Sequence, residues 1–295
     1  MEIGEKIREL RLSKMMTQAD LAGDQITRNM LCSIERGAAL PSLPTAIYLA
    51  ARLGVPVGYL LADDGDEFAY RKMTQMVNVR RSFASGDFAG CLAILSASFA
   101  AQSDDELALI RAECEYGLGR DAFQRGQLRR AAAAFDRALV AAKGTAHDTS
   151  WMRQRIAVYF RAMAGVSPTL GSDVLDGGEI DTARACGDSY CDYVQALEAL
   201  QKGRADEVFE YLQRHGEDLG AGRIQALSLM QKGQFEEALA HYEALLARDD
   251  LGVGVLMYEI FSDMELCCRE NDAYKRAYEF SASRLELLER LLEEA

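Results

Sequence analysis

The chain has 295 residues, with 46 acidic against 33 basic side chains and a formal net charge of −13. Such acidity argues against indiscriminate nucleic-acid binding, which needs an excess of lysine and arginine. With 49% hydrophobic and 27% charged residues the chain can bury a core, which excludes general disorder, and four prolines in an alanine- and leucine-rich text favour helix over sheet.

Residues 1–65 predict five short helices. Ile3, Ile7, Leu10 and Leu12 give the first a helical stripe. Thr17-Gln18-Ala19-Asp20 predicts a second, from about Gln18 to Ala22, with Thr17 as N-cap and Asp20 closing a capping box. Gly23 ends it. Thr27 caps a third helix, Arg28 to Arg36, stopped by Gly37, with Leu31 and Ile34 inward and Arg28, Asn29, Cys32 or Ser33, and Arg36 outward. Pro41, Ser42 and Pro44 open a fourth that ends at Gly54, and Val55-Pro56 starts a last turn.

Two short helices joined by a tight turn, the second with a polar face, make a helix-turn-helix, whose second helix presents its N-terminal side chains to base edges. Gly4-x-x-Ile7-Arg8-x-Leu10-Arg11, Thr17-Gln18-x-x-Leu21-Ala22, Ile26-Thr27-Arg28, Leu31-x-x-Ile34-Glu35-Arg36-Gly37, Leu49-Ala50-x-x-Leu53-Gly54-Val55 and Tyr59-Leu60-Leu61 resemble the Cro/cI-type (XRE-type) helix-turn-helix family. The interhelix stretch Gly23-Asp24-Gln25-Ile26 is one residue shorter than that family's pattern, which predicts a tighter turn. By position, the resemblance implies that Thr17, Gln18, Thr27, Arg28, Asn29, Ser33 and Arg36 face DNA. Gln18 and Thr27 would bond phosphates, Arg28 and Asn29 would read bases, Ser33 would make a weaker contact, and Arg36 would hold a phosphate. Glu35 reads as structural, an intradomain ion pair or cap. One such head contacts few phosphates, so a homodimer on two half-sites is expected.

Asp63-Asp64-Gly65-Asp66 reads as an acidic linker between a head of residues 1–65, net −1, and a remainder of residues 66–295, net −12. The remainder is repetitive. Gly86-Asp87-Phe88, Gly126-Gln127-Leu128, Gly203-Arg204-Ala205 and Gly233-Gln234-Phe235 each precede a small or apolar residue three further on, and Asn271-Asp272-Ala273 is a weaker copy. The period is near 38, with a missing copy expected at Gly165. Fixed-period helix pairs predict an α-solenoid, so the expected fold class is all-α. The pattern resembles tetratricopeptide repeats over about residues 67–280. Residues 166–180 read as an interrupting loop. Leu285 to Leu292 reads as a terminal helix, either a cap or part of a dimer contact.

In that register the inner face of the first helix of each pair carries Arg80, Tyr116, Arg120, Arg155, Tyr159, Tyr193 and Arg223. Arginine forks bind carboxylates and tyrosines give rigid contact area, which suits an acidic peptide or a free C-terminus; pairing with neighbouring Asp and Glu is the competing reading. A DNA-reading head joined to such an array resembles the peptide-sensing regulators of Gram-positive bacteria grouped as the RRNPP family. That resemblance implies a signalling peptide as ligand, a homodimer, and peptide-dependent DNA binding. The family's groove often holds its peptide with asparagines, whereas the repeat region here has only Asn78 and Asn271. A protein-docking scaffold without a small ligand is the alternative.

The seven cysteines have no metal spacing and read as reduced, mostly buried thiols, with Cys267-Cys268 a lesser candidate for a redox pair. No phosphate loop, no Gly-x-Ser-x-Gly and no convergent His/Asp/Ser set is present, so neither an enzyme nor a cofactor is expected. No run approaches the ~18 apolar residues of a membrane span, and the opening MEIGEKIREL has no apolar signal region; the expected compartment is the cytoplasm.

Overall fold

The computed structural model describes residues 2–62, 66–100, 103–172, 181, 185, 187–216, 218–248 and 254–293. Among these there are sixteen α-helices and no strand: α1 Ile3–Ser13, α2 Gln18–Ala22, α3 Arg28–Glu35, α4 Leu43–Leu53, α5 Val57–Leu61, α6 Asp66–Ala84, α7 Phe88–Phe99, α8 Asp105–Gln124, α9 Leu128–Ala142, α10 Ser150–Val166, α11 Ser189–Gln201, α12 Ala205–His215, α13 Leu219–Gln231, α14 Phe235–Leu246, α15 Val255–Glu270 and α16 Tyr274–Leu292. They form two compact units, one of residues 1–85 with 93–102 and one of residues 86–92 with 103–295. The fold class is all-α. Most of the acidic linker, the end of the 166–180 loop, and Cys186 lie outside the described residues.

In the first unit the punctuation residues set the helix ends. Thr17 Oγ1 accepts from the Asp20 amide at 3.1 Å while Asp20 accepts from the Thr17 amide at 2.8 Å, a complete capping box. Ser42 caps α4, and Gly54 ends it at φ +63°. Ile7, Leu21, Leu31, Ile34, Leu49, Leu53 and Leu60 form the core. Leu12, expected in the buried stripe of α1, is 55% exposed; the helix turns it away after Arg11 takes the inward position. At Gly4, a Cβ would lie 2.0 Å from the Ile34 carbonyl, so α1 and α3 touch backbone to backbone. Lys6 is buried with its charge spent at the end of α5, donating to the Ala62 carbonyl at 2.6 Å.

From α6 onward the helices, α10 apart, come in pairs joined by a turn with a left-handed residue. Gly86, Gly126, Gly203 and Gly233 sit at φ +71° to +76°, and the second helix begins two residues later each time. The residue after the turn position donates to the carbonyl five back: Gln127 to Ala122 at 2.9 Å, Arg204 to Ala199 at 2.8 Å, Gln234 to Leu229 at 3.0 Å. This is a Schellman closure, which needs a left-handed residue. The fifth copy obeys the same rule with Ala273 donating to Cys268 at 2.8 Å, so Asp272 at φ +56°, not Asn271, holds the glycine position. Shifting the weak copy by one residue also puts Ala277 in the buried position held elsewhere by Cys91, Ala131, Val208 and Ala238.

The copy expected at Gly165 is not a turn of this kind: Gly165 lies within α10, which runs on to Val166 and into a short 3-10 helix, Pro168–Leu170. The second unit's large core centres on Phe135, Tyr159, Tyr190 and Tyr193. Gly119 makes room for Phe135, whose ring a Cβ would meet at 2.5 Å. The terminal segment of α16 acts as a cap, with Leu287 and Leu291 buried in that core and the Leu292 carbonyl accepting from Arg129 Nε at 3.0 Å. Cys91, Cys114, Cys191, Cys267 and Cys268 are buried cysteines, and burial reinforced by Asp263 pushes the Cys267 thiol up to about 12.

No helix among the described residues is long and apolar enough to cross a membrane, and no group of three or more described His, Cys, Asp or Glu is placed to hold a metal ion.

Candidate nucleic-acid interface and the polar networks of the array

The exposed edge of α3 is built by its anchors. Leu31 and Ile34 are buried, Thr27 Oγ1 caps the helix by accepting from the Met30 amide at 3.2 Å, and this turns Arg28, Asn29 and Arg36 to solvent. Ser33 is half-buried on the same helix. The turn into α3 is tight at Gly23, φ +53°, where a Cβ would meet the Tyr48 hydroxyl at 2.3 Å. That hydroxyl donates to the Ala22 carbonyl at 2.9 Å, and Arg52 donates to the Asp20 carbonyl. Tyr48 and Arg52 therefore fix α2 from α4, a role their sequence context does not signal.

Under the edge lies a fork. Arg11 Nε and Nη2 donate to Glu35 at 2.6 and 3.0 Å, and Arg11 Nη1 donates to the Met16 carbonyl at 2.9 Å. Glu35 is thus the intradomain ion pair expected of it. Gln18 Nε2 also donates to Glu35, at 2.9 Å. Burial raises the Glu35 carboxyl, but the Arg11 fork and the Gln18 amide outweigh it and hold it below its usual range. Gln18, expected to face a phosphate, is half-buried with its amide nitrogen already engaged. Thr17 is exposed, its hydroxyl engaged with Asp20, which it lowers from its ordinary value.

The seven inner-face residues of the array do not share one open lining. Arg80 is exposed on α6, in the first unit. Three of the others close on Asp188, the N-cap of α11. Its carboxylate accepts from the Tyr159 hydroxyl at 2.6 Å, the Tyr116 hydroxyl at 2.9 Å, Arg120 Nη1 at 3.3 Å and the Tyr190 amide at 3.1 Å. Burial raises Asp188, yet these donors win and hold it low; both tyrosines are pushed up, by burial first and then by the Asp188 charge. Arg155 stacks over Trp151 at 4.7 Å and donates to the Ala185 carbonyl at 3.2 Å.

A second network surrounds Arg223, which is buried. Its Nε donates to Asp263 at 2.7 Å, and its Nη1 meets both Glu259 and the Tyr193 hydroxyl. Tyr242 donates to Asp263 at 3.0 Å. Burial raises the Glu259 carboxyl, and Arg223 does not fully offset it. The expected positive groove is instead two internally neutralised networks, because Asp188, Glu259 and Asp263 lie within reach of the arginines once the helices pack. Asp188 is the N-cap of α11, and nothing in the sequence pairs Arg223 with residues 36 and 40 positions away. Asn78 is exposed, and Asn271 ends α15.

Residues 7–60 match the helix-turn-helix family, and the first unit carries an XRE-type helix-turn-helix domain. No curated protein sequence matches the chain. Among solved structures it is similar to Bacillus thuringiensis PlcR in complex with the peptide PapR7 and DNA, at 16% identity over 99% of each chain, TM-score 0.25. It is similar to the competence regulator ComR of Streptococcus vestibularis in complex with its signalling peptide XIP, at 16% identity over 90% of this chain and 98% of that one, TM-score 0.26. A third is the pheromone receptor Rgg2 of Streptococcus dysgalactiae, at 13% identity over 97% and 99%, TM-score 0.20.

Proposed function

We propose that this chain is a sequence-specific DNA-binding transcriptional regulator that works as a homodimer, with a head over residues 1–65 and an array over residues 66–295 that senses a short peptide. The observation that carries the DNA reading is the leading edge of α3: Arg28 and Asn29 exposed behind a Thr27 cap, on a helix anchored by Leu31 and Ile34. Arg28 suits guanine and Asn29 suits adenine in the major groove. Thr27 and Arg36 take phosphates, Ser33 makes a weaker contact, and Thr17 and Gln18 lie beside the backbone, Gln18 held in place by Glu35. The peptide reading is supported by the fusion of such a head to paired helices, and the mechanism is a population shift set by the peptide's differential affinity for two states of the dimer.

Selection of duplexes from a random pool by the full chain tests the first part. An enriched two-fold site bound with a steep salt dependence is expected, and no enrichment overturns the assignment. Calorimetry with candidate peptides, with operator affinity measured in parallel, tests the second. A docking array for a protein partner is the second reading. It is favoured by the internal pairing of Arg120 and Arg223, which removes the expected counter-ions for a peptide carboxylate.

A further inference from the structure

We infer that the array holds a ring-lined socket for an aromatic side chain of its peptide ligand, beside the two polar networks; this rests on the peptide-sensing reading above. Within the second unit a pocket of about 320 Å³ opens between the end of α8, the first turns of α11, α13 and α15, and α12. Four rings line it: Phe123, Tyr190, Tyr193 and Tyr211. The volume lies at the small end of ligand sites and suits one large side chain.

The rings are held before anything binds. Phe123 meets Tyr190 edge-on at 4.7 Å, and Tyr190 stacks on Tyr159 at 5.2 Å. The hydroxyl of Tyr193 is tied into the Arg223 network. Gly220 lets α13 close on the rings, since a Cβ there would come within 2.8 Å of both Tyr193 and Tyr211. Walls already fixed by packing lose little freedom when a ligand enters, and rings favour ring partners in edge or offset contact.

The chemistry of the lining also selects. Among the described residues no lysine or arginine lines the pocket, and its one carboxylate, Asp218, is engaged at 3.0 Å with His215 Nδ1. An acidic side chain finds no counter-ion there, whereas an aromatic one meets a lining to which four rings contribute. The selected class is therefore phenylalanine, tyrosine or tryptophan, in place of the acidic peptide that a free arginine lining would have chosen.

Binding of the full-length chain to an array of random-sequence heptapeptides tests this, with Ser189→Trp as the variant, because Ser189 is exposed on the pocket lining and an indole there occupies the socket. The expected result is a binder set with an aromatic residue at one fixed position, an at least tenfold loss when that residue is replaced by alanine, and an at least tenfold loss of the parent peptides by Ser189→Trp. If circular dichroism shows that variant unfolded, Leu256→Trp, also on the lining, replaces it. A binder set without aromatic enrichment, or one held equally by the filled variant, overturns the socket and leaves peptide sensing standing. If no heptapeptide binds the wild-type chain, peptide sensing itself falls and the socket falls with it.

Discussion

Arginine is put to opposite uses in the two units. On α3, Arg28 and Arg36 stand at the helix ends, exposed. In the array, Arg120 and Arg223 stand inside their helices on faces that pack, Arg120 closing on the Asp188 cap of α11 and Arg223 on Glu259 and Asp263 of α15. The difference teaches that a cation is available to a ligand when its helix leaves it at an end, and is consumed when a neighbouring helix brings an acid across. The head has an internal fork of its own, Arg11 with Glu35, and that fork lies under the reading edge instead of on it.

The most severe way to break the contrast is Arg223→Ala. It leaves the partly buried Asp263 and Glu259 without their shared cation, and a loss of about 3 kcal/mol in array stability is expected by chemical denaturation, with the head's own transition unmoved. Arg28→Ala is the counterpart. It is expected to leave the denaturation midpoint within about 0.5 kcal/mol of wild type while relaxing base preference by about 1–3 kcal/mol in competition binding. If the two variants gave similar stability losses, the contrast would fail. Gly4→Ala sharpens it from the packing side: a methyl facing the Ile34 carbonyl must push α1 off α3, at about 1–3 kcal/mol, read as a lower melting temperature of the head.

Thr27→Ala removes the cap on α3 and is expected to cost about 1 kcal/mol of stability together with a uniform drop in DNA affinity. The smallest effect is in pH. Asp188 and Glu35 are both held below their ordinary values, so each contributes stability that is fully present above the unfolded carboxylate range, about 4, and is lost as pH falls through the lowered folded value. Unfolding free energy measured between pH 6 and pH 3 is expected to decline, and Asp188→Asn is expected to flatten part of that decline. An unchanged slope in the variant would remove Asp188 from the account.

The head was legible because its sequence is densely punctuated. Thr17, Thr27, Ser42 and Gly54 mark helix ends, and the helices fall where those residues put them. The repeats were legible through their turn glycines, which are forced by a left-handed backbone. The last pair slipped by one residue because Asp272 adopts that conformation without being glycine, so the eye settles on the neighbouring Asn271. The array's inner face was not legible. Its outcome depends on which acids arrive opposite Arg120 and Arg223, and the partners stand between 36 and 68 positions away. The Gln18–Glu35 contact was hidden for a similar reason: the carboxylate that meets the amide nitrogen stands 17 positions away.

The contact at Gly4 has a mechanical meaning. With no side chain between α1 and the Ile34 carbonyl there is no soft layer to shear, so α3 cannot tilt unless α1 travels with it. A signal reaching this head would then act by swinging it whole, like a key turned by its bow, leaving the teeth uncut.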